Sequence, residues 1–343
     1  MPTECHERQW HKNGSLVGVV GMAGMVGVRR GGHGDASASA PARMRSGLRA
    51  RALACGLSLA CGLAPGSASA DAHACAGRSS PRWISRTTLG VSLVPFGAEI
   101  QARAALCVPL RPWDGDWLEL AAFEVGALTY VSPVYAYGGG YVQLTPVNLL
   151  TFRIEAAGIG YWTLPLEGAG YYALPEANAE RNPETTLAVG RGRSEAGWMI
   201  RGLAVVQAHV PLGPVSLLVW DTVLGERVAI GAGPYFVNLQ SDHTQEASDL
   251  VIGNDAALVL EAPVAGGPSL RFGGYDSLRT ALGTGSFGHQ AGAIFVAGWS
   301  RPMPEIWWME IGLRGGGYTN HPVRTGDFTL AAWVSVEWDL GGV

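Results

Sequence analysis

An all-β fold is predicted: a single antiparallel up-and-down transmembrane β-barrel of twelve strands. Three observations carry this reading. First, Phe328, Leu330, Ala332, Val334, Val336 and Trp338 alternate with Asp327, Thr329, Ala331, Ser335 and Glu337, which gives the closing segment one apolar and one polar face. Second, eleven earlier segments repeat this period of two, separated by clusters of Gly, Pro, Asp and Asn. Third, the links between segments are short at one end of the strands and mostly longer at the other, as in barrels that cross a bacterial outer membrane.

Taken in chain order, residues 1–43 show neither apolar periodicity nor a core, and read as disordered or as an over-extended gene start before Met44. Residues 44–70 read as an export signal. Arg45, Arg49 and Arg51 precede the apolar run Ala52–Ala64, and Pro65, Gly66 and Ala68-Ser69-Ala70 follow as a cleavage region. About thirteen apolar residues are too few to span a bilayer as a helix. Cys55 and Cys61 lack the leucine three residues earlier that lipidation usually requires, which argues against a lipoprotein. Residues 71–83 then form a short periplasmic arm, and 84–340 the barrel.

Removal of the first 70 residues takes away 8 of 24 basic and 3 of 28 acidic residues. This leaves 16 arginines, no lysine, 25 carboxylates and a net charge of about minus nine. Such a surface offers no footprint for nucleic acid. No run of eighteen apolar residues follows the leader, which excludes a helical membrane protein, although 48% of the whole chain is hydrophobic. The remaining 273 residues allow about 23 per strand with its connection, a comfortable allowance for tilted strands of nine to eleven residues.

The strands are expected at 85–94, 98–110, 117–127, 136–145, 149–162, 197–211, 214–224, 255–263, 268–279, 288–300, 305–317 and 327–339. With the first strand running outward, the periplasmic links are 111–116, 146–148, 212–213, 264–267 and 301–304, all short. The outward links are 128–135, 163–196, 225–254, 280–287 and 318–326, with one tight turn near Pro95. Both chain ends then lie in the periplasm.

Alternation assigns the faces. Glu99, Gln101 and Arg103 alternate with Ile100, Ala102 and Ala104, and Thr151, Arg153 and Glu155 with Leu150, Phe152 and Ile154. Glu310 and Arg314 oppose Trp307, Met309, Ile311 and Leu313. Because the apolar face meets hydrocarbon, the charged face is the enclosed one. Two strands depart from the pattern: Glu119 and Glu124 fall on opposite faces, and Asp221 falls on an apolar face, so a bulge or an interfacial strand end is expected there. Trp83, Trp117, Trp299, Trp307 and Trp338 near periplasmic strand ends, and Tyr137, Trp162 and Trp198 near outer ends, are assigned to aromatic girdles. A soluble sandwich would explain these aromatics as core but not the parity of the links.

The leader, the alternating segments and the terminal aromatic strand resemble the outer-membrane β-barrel proteins of Gram-negative bacteria, over residues 44–340. The ending V-S-V-E-W-D-L is similar to the signal that the barrel assembly machinery recognises, although a short tail follows Trp338. The segment 132–162 resembles hairpins of uncharacterised porin-like barrels from high-GC bacteria. The resemblance implies outer-membrane lipid and lipopolysaccharide as surroundings and the assembly machinery as a partner.

The enclosed polar residues are expected to be Glu99, Arg103, Arg153, Glu155, Arg201, His209, Glu261, Arg271, Arg279, Glu310, Arg314 and Glu337. Two readings follow from their mixed signs. One is a small passive channel whose charged lumen passes polar solutes, and this is the reading taken; the other is a lumen closed by paired charges, with long loops serving surface interactions. A lipid hydrolase ranks third. Ser286 and His289 are three residues apart and face opposite sides of an extended strand, and no His-x-Ser-Asn-like pattern occurs. The acidic stretch 240–249 lacks calcium-loop spacing and reads as a solvated loop. The glycine runs at 138–140, 273–275 and 315–317 read as sites of coiling or close backbone approach, not as phosphate cradles. No metal or cofactor site is expected. Cys75 and Cys107 are candidates for a disulfide that would tuck the arm into the barrel mouth.

Overall fold

The structure, a computed structural model, describes residues 75, 80–93, 96–110, 120–162, 173–174, 194–230, 235–238 and 243–342. The expected leader at 44–70, the extension before it, and Trp117 and Glu119 lie outside these residues.

Twelve strands close into one antiparallel barrel: β1 (Arg82–Leu93), β2 (Phe96–Pro109), β3 (Ala122–Val131), β4 (Tyr135–Val147), β5 (Leu150–Tyr161), β7 (Glu195–Leu212), β8 (Val215–Ile230), β11 (Leu250–Pro263), β12 (Ser269–Ala281), β13 (Phe287–Met303), β14 (Ile306–Asn320) and β15 (Phe328–Gly342). Each strand pairs with its neighbours in sequence order, and β1 also pairs with β15, with Thr87 between Ala102 and Val336. That seam removes the two free edges an open sheet would expose, so the barrel ladder satisfies its own backbone donors and acceptors. Three short strands, β6 (Ala173–Leu174), β9 (Tyr235–Asn238) and β10 (His243–Glu246), form a separate small sheet.

Side chains are sorted in the inverted sense. Ile154, Phe272, Phe295, Leu313 and Val334 point outward and stand exposed, Ile154 at 65%. Arg86, Glu124, Gln143, Thr151, Arg153 and Glu155 point inward and are buried. An apolar belt this extensive on the outside of a closed sheet is compatible with hydrocarbon and incompatible with water. No helix among the described residues is long and apolar enough to cross a membrane. The crossing elements are strands.

Several boundaries differ from the sequence expectation. The third strand runs over Ala122–Val131 instead of 117–127, because its ladder with β2 starts at Ala122 opposite Pro109 and the Leu110 amide donates to the Ala121 carbonyl at 2.8 Å. The expected link at 128–135 thereby shrinks to 132–134. β8 extends six residues beyond the expected end at 224, and β11 begins five residues before 255, because Val223–Arg227 pairs with Leu250–Asn254 and β8 continues to Ile230 against Gly197 of β7. The connections after β5 and after β8 are the longest, and the link expected at 111–116 lengthens to 110–121 at the opposite end, so the parity of link lengths rests on those two.

Pro146 and Pro302 lie within register shifts, where a residue with no amide hydrogen costs the ladder nothing. The middle glycines of both triplets mark close approaches: a Cβ on Gly139 would lie 2.0 Å from the Ala156 carbonyl oxygen, and one on Gly316 2.2 Å from that of Ala291. Cys75 is joined to Cys107 on β2, and both are buried among inward-facing residues. Thiol titration of a chain beginning at Asp71 should find no free thiol without reductant and two after reduction.

Arginine in place of Ile154, midway along β5, should destabilise the barrel by about 2–4 kcal/mol, whereas Phe328→Arg at a strand end should cost roughly 0–1 kcal/mol. Denaturant unfolding in lipid vesicles measures both.

Candidate functional site

The lumen holds the densest polar chemistry of the described residues. Its largest network spans β2 to β8. The Arg201 guanidinium donates through Nε to Glu226 at 2.8 Å and forms an ion pair with the same carboxylate through Nη2, while Nη1 faces Glu155 at 3.5 Å and the Tyr137 hydroxyl at 3.3 Å. Arg153 donates to the Gln143 carbonyl oxygen from Nε and Nη2, at 2.8 and 2.6 Å, and pairs with Glu155 at 3.4 Å. Gln143 in turn donates to Glu124 at 3.2 Å, and the Tyr141 hydroxyl donates to the same carboxylate at 3.3 Å. Glu99 accepts from the Tyr135 hydroxyl at 2.9 Å and from the Gln101 amide.

A second group closes the wall at β14, β15 and β1. Arg86 donates to the Ser335 hydroxyl at 2.8 Å and reaches Glu310 at 3.5 Å. The indoles of Trp333 and Trp308 donate to Glu310 at 3.1 and 3.3 Å. Trp333 lies where a side chain on Gly312 would stand, since a Cβ there would be 2.0 Å from the ring. A third group lines β11 and β12: Arg271 with Glu261 at 2.8 Å, Ser269 donating to the same carboxylate, and Arg279 paired with Asp255.

Of the residues expected to be enclosed, Glu99, Arg153, Glu155, Arg279, Glu310 and Glu337 are buried. Arg103 lies over the Tyr141 ring at 5.9 Å and Arg314 over the Tyr275 ring at 5.5 Å. Glu337 stands opposite Arg86 in the ladder and is buried. His209 is mostly exposed at the end of β7 nearest the termini, 3.6 Å from Glu261. Sequence reasoning missed Arg86, Asp255 and Glu226. Asp255 opens the strand expected at 255–263, and Glu226 falls in the link expected at 225–254, yet continuing the period of two through Gly225–Arg227 turns Glu226 inward.

Of the expected girdle, Trp83 and Trp198 are outward and exposed, and Trp299, Trp307 and Trp338 share the outward face. Trp307 stacks under Arg301 at 4.1 Å. Trp162 follows β5 and donates from its indole to the Pro133 carbonyl at 2.7 Å. Tyr137 is the exception. It points into the lumen, stacked on Tyr130 at 4.2 Å, because Gln143 and Thr145 fix the inward parity of β4.

The end of the barrel opposite the termini is capped from within. β9 and β10, drawn from the stretch expected to be a surface loop, place Phe236, Asn238, Thr244 and Gln245 in fully buried positions. The Asn238 amide donates to Glu226 at 2.8 Å and its carbonyl accepts from the Tyr161 hydroxyl at 3.1 Å. Thr284 donates to the Thr244 carbonyl at 2.7 Å. His243 is 3.4 Å from the Ser286 hydroxyl and stacks on His321 at 5.3 Å, so Ser286 belongs to the cap and not to His289.

A closed twelve-stranded barrel with an apolar outer belt and a charged interior defines a transmembrane β-barrel of the outer-membrane class. No family model and no curated protein matches the chain. Among solved structures, it is similar to the beta domain of the Bordetella autotransporter Brka, at 9% identity and TM-score 0.43 over 75% of this chain and 99% of that one. It is also similar to the translocator domain of the autotransporter NalP from Neisseria meningitidis, at 11% identity and TM-score 0.40 over 76% and 89%. A third likeness is to an outer membrane channel from Pseudomonas putida F1, at 11% identity and TM-score 0.37 over 80% and 100%.

Glu226→Ala removes the main partner of a buried guanidinium and should cost about 3–5 kcal/mol, while Arg201→Met with Glu226→Leu should recover most of the loss. Denaturant midpoints of the two variants against wild type test this.

Proposed function

We propose that this protein is an outer-membrane barrel sealed along its axis in its resting form, with both chain ends in the periplasm and the long links at the cell surface. The observation that carries the reading is the burial of the charged and polar residues that face the axis from β3, β4, β8 and β14. Glu124 and Gln143 are 1% exposed, and Glu226 and Glu310 2%, although all four face the axis. A water-filled pore keeps its lining wet; here these charges are withdrawn from solvent and paired along the wall, with partners on the same or nearby strands. Function then falls to the outside of the barrel and to the long connections after β5 and β8, in contact with lipid and lipopolysaccharide. Assembly uses the C-terminal strand β15 as the segment presented to the barrel assembly machinery.

A small channel for polar solutes is the second reading. It is favoured by the balanced charges on the wall and by a cap held to the rim largely through hydrogen bonds, which a solute or field can displace. In planar bilayers the sealed form should show no discrete conductance steps, and a variant lacking residues 235–246 should remain closed, because the Arg201, Arg153 and Arg86 networks lie below the cap. Steps from the wild-type protein would overturn the sealed reading in favour of the channel.

A further inference from the structure

The lipid-facing wall of β12, β13 and β14 carries a chain of three polar side chains where alternation demands apolar ones. The Asp276 carboxylate accepts from His289 Nε2 at 2.6 Å, and His289 Nδ1 meets the Thr319 hydroxyl. All three point outward, Asp276 with half of its side chain exposed. Because Asp276 holds the Nε2 hydrogen, the neutral imidazole presents Nδ1 as a lone pair to the Thr319 O–H; the hydroxyl's alternative acceptor, the His289 carbonyl, is farther away at 3.4 Å. Nucleophile, base and orienting carboxylate are thus in sequence, each within hydrogen-bond reach of the next.

Two further features single this place out. The β13–β14 ladder slips here: His289 pairs with Asn320 and Gln290 with Tyr318, which leaves Thr319 as the extra residue of a bulge and turns its hydroxyl toward the imidazole. Beside the trio the wall is hollowed. The outward row alongside Asp276 continues through Ala291 and Gly317, and the next is Gly274, Ala293 and Gly315, so neither offers more than a methyl group there. The row after that, Phe272, Phe295 and Leu313, is large again, and Phe328 on β15 borders the hollow at 63% exposure. The result is a shallow depression, edged by Phe328 and Leu330 beside Gly315, leading to a polar end. His289 and Thr319 lie within three residues of the strand ends, at the level where lipid esters meet headgroups. Ionisable side chains turned toward lipid are costly, and their presence points to a function.

We infer that this wall is a hydrolytic site for ester-linked acyl chains of membrane lipids. Thr319 Oγ1 attacks the ester carbonyl carbon as its proton passes to His289 Nδ1. The carbon–oxygen bond to the lipid alcohol breaks, and that alcohol leaves with the proton from His289. Water from the headgroup layer, deprotonated by His289, then cleaves the acyl-threonine, releasing the fatty acid and restoring the hydroxyl. Asp276 is a positioning residue that fixes the tautomer. The inference does not depend on whether the lumen conducts.

The test uses the full barrel refolded in mixed micelles, its folding verified by resistance to detergent at room temperature. It is offered diacyl phospholipid in one arm and lipopolysaccharide in the other, with free fatty acid measured by mass spectrometry. Time-dependent release is expected from at least one arm, and the productive arm identifies the lipid. Thr319→Val and His289→Asn should each lower release about a hundredfold or more, Thr319→Ser should retain it, and Ala293→Phe, which fills the depression, should raise KM more than it lowers kcat. A fluorophosphonate probe should add one adduct to the wild-type protein and none to Thr319→Val. Absence of release from both lipids together with absence of the adduct, or release undiminished in Thr319→Val and His289→Asn, overturns the inference.

Discussion

Hydrocarbon offers no hydrogen-bond partners, so each strand amide and carbonyl at membrane depth must find one within the sheet. The β1–β15 seam is where that requirement becomes a shape. Without the pairing of Arg82–Ser92 with Ala331–Gly342, both strands would present open edges to lipid; with it, the barrel ladder is continuous. Everything else about the molecule follows from closure: an inside and an outside, a parity that sends Ile154 one way and Glu155 the other, and an interior that must be filled.

Filling is done with charge. Arginines from β1, β5, β7 and β12 are matched to carboxylates mostly on neighbouring strands, so most ion pairs also tie the wall together along its circumference. Arg86 to Glu310 spans β1 to β14, and Arg201 to Glu155 and Glu226 spans β5 to β8. Buried pairs add little net stability over an apolar filling, but they resist the loss of either partner, which makes them devices of register more than of affinity. The cap extends the same chemistry outward, with Asn238 joining Glu226 to Tyr161.

The outer wall obeys a different economy. Large aliphatic and aromatic side chains cover most of it, and the departures lie mainly between β8 and β14: Asp221 with Asn254, then Asp276, His289 and Thr319. On the inside a polar residue is ordinary and needs only a partner. On the outside it interrupts the contact with lipid, so the same Asp–His pair that would be unremarked in the lumen becomes informative on the wall.

Much of this was legible in the sequence because the period of two is local: Phe152, Ile154 and their neighbours declare their face without reference to any other strand. Fold class and strand number came from that period together with the turn clusters between segments and the lengths of the links. It failed where a local signal was overruled by distant pairing. Gly225-Glu226-Arg227 looks like a loop until Arg201 is placed beside it, Tyr137 looks interfacial until Gln143 and Thr145 set the parity of β4, and 240–249 looks solvated until His243–Glu246 pairs with β9 and is buried. Tertiary structure alone brought Asp276, His289 and Thr319 together. They lie on three strands up to 43 residues apart in sequence, and their meeting depends on the stagger between those strands and a one-residue bulge. Stagger and bulge are properties of the closed ladder, which no single strand encodes.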